Sequence, residues 1–556
     1  MNPDPARELI RAYHQRTKHH LDRYAAGPGS LDWDAQPDPF RVWSGTEKVP
    51  LPRTAEHIPI PWDDLEKDRE PAPLNLESLG NLLQLSAAIT AWKEYAGSRW
   101  ALRANPSSGN LHPTESWVVA RGVAGLADGL YHYQPRDHSL ELRAAGGEAG
   151  SPGLWLGFSS IHWREAWKYG ERAFRYCQLD LGHLLATVAT AAALLGWKPR
   201  LVPLAWGDLS HRLGLDRVED FAGVEAEEAE TLLALHSADV GLPPPDWAEW
   251  HGRPGLLDPK PMYQWPVIEE VAQATRGNLF PSPHGGRRWE SVEHRSTPPE
   301  PDGCAKPSVD GARGEGTRPA LNHPVSLSRP SGPASPEGGG VAATHIILKR
   351  RSAQAFDGRS VMPLAAFRRL LERLPPGGAP AWDLWPLPPR VHPVLMVHRV
   401  EGIVPGLYVF PRSTEGEAAL RGALRSDMAW EPVAEAPGLF RLVGARCGNA
   451  ARTLSCHQDI AANCGVAFMF LAEFAGPIAG NPAAYRHLHW EAGMLGQQLY
   501  LEAEAQGWRG TGIGCFFDDA VHDILGLTDE GFQVLYHFSA GVPVDDPRLL
   551  TRPAYE

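Results

Sequence analysis

A chain of 556 residues is too long for one ordinary hydrophobic core and calls for at least two domains. Its 43% hydrophobic and 21% charged residues are globular proportions, and a formal charge of −13 excludes a general nucleic-acid binder, which needs a basic face to displace counterions. Six cysteines with no CxxC pair or small-disulfide spacing fit a reduced, cytoplasmic setting. The amino terminus lacks the apolar stretch of a signal peptide, and the longest apolar run, near residues 186–196, is too short to span a bilayer. The expected partners are therefore small molecules or proteins, with no membrane and no nucleic acid.

In chain order, the first stretch with chemical content is PSSGNLHPTE, Pro106–Glu115. Ser107, Ser108 and Asn110 are residue types that cap helices and form turns, and they serve equally well around a small polar ligand. His112-Pro113 is then followed by an apolar run and GLYHYQPR, Gly129–Arg136. In WKYGERAFRY, Trp167–Tyr176, Lys168 stands beside Tyr169. Such a pair is either a snorkelling surface feature or, near a cofactor, a lysine of lowered pKa able to act as a base. From Phe174 to Trp197 apolar residues recur at helical spacing up to Gly196, which predicts one long, mostly buried helix. A short strand-like run and a second helix ending in LGL, Leu213–Leu215, follow.

Residues 278–342 are rich in Pro, Gly and Ser and read as a flexible linker, since such a segment buries too little apolar surface to offset its ordering entropy. The second half then repeats the first. PPRVHP, Pro388–Pro393, stands where PSSGNLHP stood, and GLYVFPR, Gly406–Arg412, matches GLYHYQPR. The helical stretch keeps its offsets, with Arg175, Gly182 and Gly196-Trp197 answered by Arg486, Gly493 and Gly507-Trp508. A second LGL, Leu525–Leu527, closes the correspondence. The predicted fold is α+β: two tandem domains, 1–277 and 343–556, around the linker. Together they form an intrachain pseudo-dimer able to stand as a monomer, with shared sites expected at the interface between its halves.

Two motifs belong to the second half alone. In LKRRSAQAFDG, Leu348–Gly358, the residues Arg350, Arg351, Ser352 and Gln354 bring two guanidinium groups, a hydroxyl and an amide together. That set suits a phosphate, or simply makes a solvated basic helix start. In WRGTGIGCFFDD, Trp508–Asp519, Gly510, Gly512 and Gly514 let backbone approach a flat ligand, or form a tight turn. The spacing does not match the dinucleotide fingerprint. His487, His489, Cys456 and His457 lack zinc-site spacing, so no metal is expected.

RRSxxxF at a domain start, PSSxNxxP after a helix and GxG near the carboxyl end together resemble the nitroreductase superfamily of FMN-dependent flavoproteins. PSSGNLHPTE, KYGERAFRY and the opening AYHQRTKHHLDRYA resemble its thiazoline/oxazoline dehydrogenase branch, the SagB or ThcOx type. The resemblance implies FMN at the interface of two α+β units. Arg350, Arg351, Ser352 and Gln354 would hold phosphate, ribityl or ring edge; Gly512, Ile513 and Gly514 would lie along the isoalloxazine; Arg548 would approach the phosphate. Pro106, Ser107, Ser108 and Asn110 would reach over from the first half. Lys168 and Tyr169 would be the catalytic pair assisting hydride transfer from a peptide-derived or other small substrate. Because each half lacks the motif the other keeps, one FMN per chain is expected. The resemblance leaves two alternatives: a general nitro or quinone reductase using NAD(P)H as a transient donor, and a degenerate scaffold without activity.

Overall fold

The strand-forming runs of the first half build an antiparallel sheet. Its main strands are β1 (Thr114–Arg121), β2 (Gly129–Gln134), β3 (Ser139–Ala145), β4 (Gly153–Ser160), β5 (Arg200–Leu201) and β6 (Glu228–Ala234), with neighbours in the order β3-β2-β1-β4-β6-β5. The second half builds β7 (Val391–Val397), β8 (Gly406–Val409), β9 (Phe440–Gly444), β10 (Val466–Glu473), β11 (Arg509–Ile513) and β12 (Phe532–Gly541), in the order β9-β8-β7-β10-β12-β11. The two orders are the same, strand for strand, so the sequence repeat is a repeat of topology. This computed structural model describes residues 4–147, 150–236, 241–277 and 340–555, which pack as one unit.

Four helices set the geometry that matters for the site: α1 (His162–Tyr169), α2 (Ala173–Leu194), α3 (Ala343–Lys349) and α4 (Ala484–Ala505). The long pair α2 and α4, each of 22 residues, are the two helices predicted to end at Gly196 and Gly507. They cross with their backbones nearly touching. A methyl group on Gly182 would overlap the Trp490 carbonyl, and one on Gly493 would overlap that of Leu179. Only glycine allows this approach. Polar side chains lock the crossing: Trp490 Nε1 donates to Gln178 Oε1 at 2.6 Å, and the His183 ring meets Gln497 Oε1 at 3.3 Å.

Each half also lends a segment to the other. The strand Leu550–Arg552 pairs with Ile89–Tyr95 of the first half. In return Thr275 Oγ1 and the Ala272 carbonyl accept from the buried Arg486 guanidinium of α4 at 2.9 and 2.8 Å. By length and composition His162–Leu194 could cross a membrane, but 94% of its apolar window is buried here, which makes it core. The longest apolar segment is thus longer than the run at 186–196 suggests, because the helix continues through polar residues facing the partner helix. The expected linker lies outside the described residues except at 340–342. There the chain is already paired, with Trp62 N–H donating to the Val341 carbonyl at 2.9 Å.

Candidate functional site

The motifs of both halves converge on one cavity of about 790 Å³. Its wall includes Pro106, Ser107, Ser108, Gly109 and Asn110 from the first half, and Arg350, Arg351, Ser352, Gln354, Gly512, Ile513 and Gly514 from the second. That volume is within the usual range for small-molecule and cofactor sites.

The loop of the first half owes its shape to its own residues. Gly109, Asn110 and His112 all take left-handed backbone, at φ 63°, 58° and 49°. Ser107 Oγ accepts from the His112 N–H at 2.8 Å. Ser108 is tied by its N–H, at 3.1 and 3.2 Å, and by its hydroxyl, at 3.2 Å, to the carboxylate of Asp180 on α2. A methyl on Gly109 would sit 2.8 Å from Tyr169 Oη and 3.0 Å from Lys168 Nζ, so the Lys-Tyr pair at the end of α1 leans on this loop. Tyr169 is in the cavity wall, whereas Lys168 is not among the wall residues, its Nζ lying 5.3 Å from the centre of the Tyr169 ring.

From the second half, Arg350 enters fully buried at the end of α3. Its Nε and Nη2 donate to the carbonyls of Ala104 and Arg103 at 3.2 and 3.1 Å, and its guanidinium lies 5.1 Å from the Tyr500 ring. Its Nη1 is buried with no hydrogen-bond acceptor among the described residues. Arg351 grips the hairpin of the first half through Thr90 Oγ1 and the Thr90 carbonyl, both at 3.1 Å. Tyr500 of α4 joins two motifs: its Oη meets Ser352 Oγ at 2.9 Å and accepts from the Gly512 N–H at 2.7 Å. Glycine is required at 512 because a methyl would overlap Tyr536 Oη, and at 514 because it would overlap the Tyr176 ring.

Burial governs the electrostatics. It pushes the Asp180 carboxyl up to about 7, against the pull of hydrogen bonds from Ser107 and Ser108. It lowers the Lys168 ammonium, with Glu165 opposing, and raises the Tyr169 phenol. The Glu165 carboxyl, buried with neither oxygen hydrogen-bonded among the described residues, is raised well above the usual carboxylate range. Across the wall Lys93, Arg103, Lys349, Arg350, Arg351 and Arg509 face Asp180, Asp545 and Asp546. Six cations against three acids, with an unpaired guanidinium N–H among them, fit an anionic group such as a phosphate.

Arg548 is the residue out of place. It is absent from the wall, 58% exposed, and clamped on Asp546 with Nη2 2.6 Å from the carboxylate. Asp546, two residues back, captures it before it can turn inward. Residues not predicted include Asp180, Tyr176, His183, Tyr500 and Tyr536, all in the wall. Asp180 had a usable signal. Five residues after Arg175, it has an acid at the same offset in the other copy, Glu491 after Arg486. Glu491 makes the equivalent bonds, accepting from the Arg390 N–H at 3.1 Å, but it is also ion-paired with Arg412, whose guanidinium stacks 4.2 Å from Trp382. The corresponding carboxylate in the second half is therefore neutralised from within.

Residues 406–542 match the Nitroreductase family model. Over its whole length the chain resembles a crystal structure assigned as a nitroreductase from Anabaena variabilis, with a TM-score of 0.63, 21% identity, and coverage of 96% of this chain and 99% of that one. The chain thus has the nitroreductase fold over its length, and its second half carries the family's sequence pattern. Among sequence relatives, the trifolitoxin-processing protein TfxB of Rhizobium leguminosarum is 34% identical over 150 residues, and a nitroreductase-like protein of Methanocaldococcus jannaschii is 28% identical over 138. The aligned stretches cover 24% and 22% of this chain, and span 40% and 66% of the lengths of those relatives.

Proposed function

We propose that the chain is an FMN-dependent oxidoreductase of the SagB-like dehydrogenase type, holding one flavin between its halves and acting on a peptide-derived substrate. The observation that carries this reading is the convergence of the Ser107-Ser108 loop, the Arg350–Gln354 segment, the Gly512–Gly514 segment and Tyr169 on one cavity. Similarity to TfxB, a trifolitoxin-processing protein, favours the peptide-processing branch.

In this reading Arg350 and Lys349 take the phosphate, Ser352 and Gln354 the polar chain or ring edge, and the backbone at Gly512 and Ile513 the flat face. FMN, when bound, supplies a two-electron acceptor. Lys168, its ammonium lowered by burial, would take a proton from the substrate, and Tyr169 would fix the geometry of that transfer. The Arg412–Glu491 pair favours a single flavin, because the carboxylate at the place matching Asp180 is already held by an arginine.

The decisive measurement is the flavin-to-protein ratio of the isolated chain together with turnover of a thiazoline peptide. One flavin per chain is expected, and Lys168→Ala is expected to keep the flavin while slowing turnover about 100-fold or more. A colourless chain that gains no flavin absorbance on adding FMN would leave a scaffold. The similarity to the M. jannaschii nitroreductase-like protein keeps a second reading, a general NAD(P)H-dependent nitro or quinone reductase. Rapid NAD(P)H oxidation with nitrofurans or quinones, without turnover of thiazolines, would select it.

A further inference from the structure

Two thiols meet at the edge of the cavity, next to the Gly512–Gly514 segment. Cys515, just beyond β11, is a wall residue beside Gln458. Cys456 comes from the turn after the helix Gly448–Leu454 and takes left-handed backbone at φ 52°, as does His457 at φ 59°. Such non-glycine residues are strained and persist only where their surroundings enforce the conformation. Two bonds enforce it here. Phe517 N–H donates to the Leu454 carbonyl at 2.8 Å, and Gln458 Nε2 donates to the Cys515 carbonyl at 3.2 Å, which binds the two cysteine-bearing segments together.

The thiol of Cys515 interacts with that of Cys456 and with the His19 ring. His19 is fixed for this contact: its Nδ1 accepts from the Ala25 N–H at 2.9 Å and its carbonyl from the Asp518 N–H at 3.1 Å, leaving the other ring nitrogen for the thiol. Arg172 Nη2 reaches the Gly514 carbonyl at 3.3 Å and adds positive charge, while Asp518 pairs with that arginine and with Arg175. Tyr24 lies against Cys456. The hydrogen bond from Cys456, followed by His19 and Arg172, holds the Cys515 thiol below the ordinary cysteine value, while Cys456 is raised. Both residues are half-buried, neither sealed nor free. A lowered thiol beside a second thiol and a histidine, on an open wall, is the environment of reactive rather than structural cysteines.

We propose that Cys515 and Cys456 form a thiol–disulfide exchange site on the cavity wall, with Cys515 as the attacking sulfur, Cys456 as the resolving sulfur and a low-molecular-weight disulfide as substrate. The Cys515 thiolate attacks one sulfur of the disulfide, making a mixed disulfide and expelling the first thiolate. Cys456 gives its proton to solvent, attacks the Cys515 sulfur and expels the second thiolate. The protein loses two electrons, the small disulfide gains them, and Cys456–Cys515 is left bonded.

The test uses the whole reduced chain with glutathione disulfide as probe, followed by blocking of remaining thiols, digestion and mass spectrometry. A linked peptide pair containing Cys456 and Cys515 is expected. Cys456→Ser should trap glutathione on Cys515, and Cys515→Ser should leave Cys456 unmodified. In the unsubstituted chain, iodoacetamide alkylation of Cys515 should have a pH midpoint below 7, against about 8.5 for an ordinary thiol. Absence of the linked peptide, or a midpoint near 8.5, overturns the proposal. Both are read without any variant, so neither depends on a variant's folding.

Discussion

The carboxylate of Asp180 accepts from both the backbone N–H and the hydroxyl of Ser108, at 3.1 and 3.2 Å. A helix of the core thereby helps set the shape of a loop in the cavity wall. The charge state of Asp180 follows from the same position. Its folded-state pKa, about 7, lies above the ordinary 3.8, so between those values the native chain holds a proton that the unfolded chain has lost. This contribution to stability is complete below about pH 4 and disappears as pH rises through 7, a total of about 4 kcal/mol. Asp180→Asn should flatten the profile and be more stable than the parent at pH 8, with little change at pH 4. Urea midpoints at both pH values measure it.

Ser107→Ala with Ser108→Ala removes the bond to His112 and the hydroxyl bond to Asp180. The loop should loosen, and FMN affinity should fall about tenfold or more even though both residues lie in the opposite half from Arg350. Fluorescence titration of the flavin-free chain gives the answer; unchanged affinity would contradict a site shared between the halves.

Arg350→Lys tests the fork rather than the charge. Lysine cannot serve the Arg103 and Ala104 carbonyls together, and a buried carbonyl left unmet costs about 1–3 kcal/mol. The expected result is a lower melting temperature without ligand, together with weaker phosphate and FMN binding. A variant with parental stability would assign Arg350 to the ligand alone.

Gly493→Ala places a methyl against the Leu179 carbonyl where α2 and α4 cross. Neither backbone has room to retreat, so a loss above about 3 kcal/mol is expected in denaturant unfolding. The neighbouring Gly507, at φ 73° with no atom near its missing side chain, should tolerate alanine better in space but suffer from its backbone conformation.

The repeat was legible because Arg, Gly and Gly-Trp recur at equal offsets in both copies, and helical spacing carries over directly into α2 and α4. The three motifs that meet at the cavity were legible through their resemblance to a known family, since Ser, Asn, Arg and Gly in loops serve equally as caps and turn formers. Tyr500, Tyr536 and His183 were not, since on a helix or strand interior their spacing is that of core residues, and only the fold shows them facing a cavity. Arg548 failed for a local reason, an aspartate two residues away. Arg350 lines the cavity, yet much of its bonding capacity goes to backbone of the other half, which no pattern in its own segment records.

Where two identical subunits share a site, every substitution is made twice, and neither copy can change without its twin. Here Asp180 has kept a serine loop while Glu491, at the matching place, has taken Arg412 instead. Joining the copies in one polypeptide released each from its mirror image. At this one matching place the carboxylate holds a loop in the first half and a guanidinium in the second.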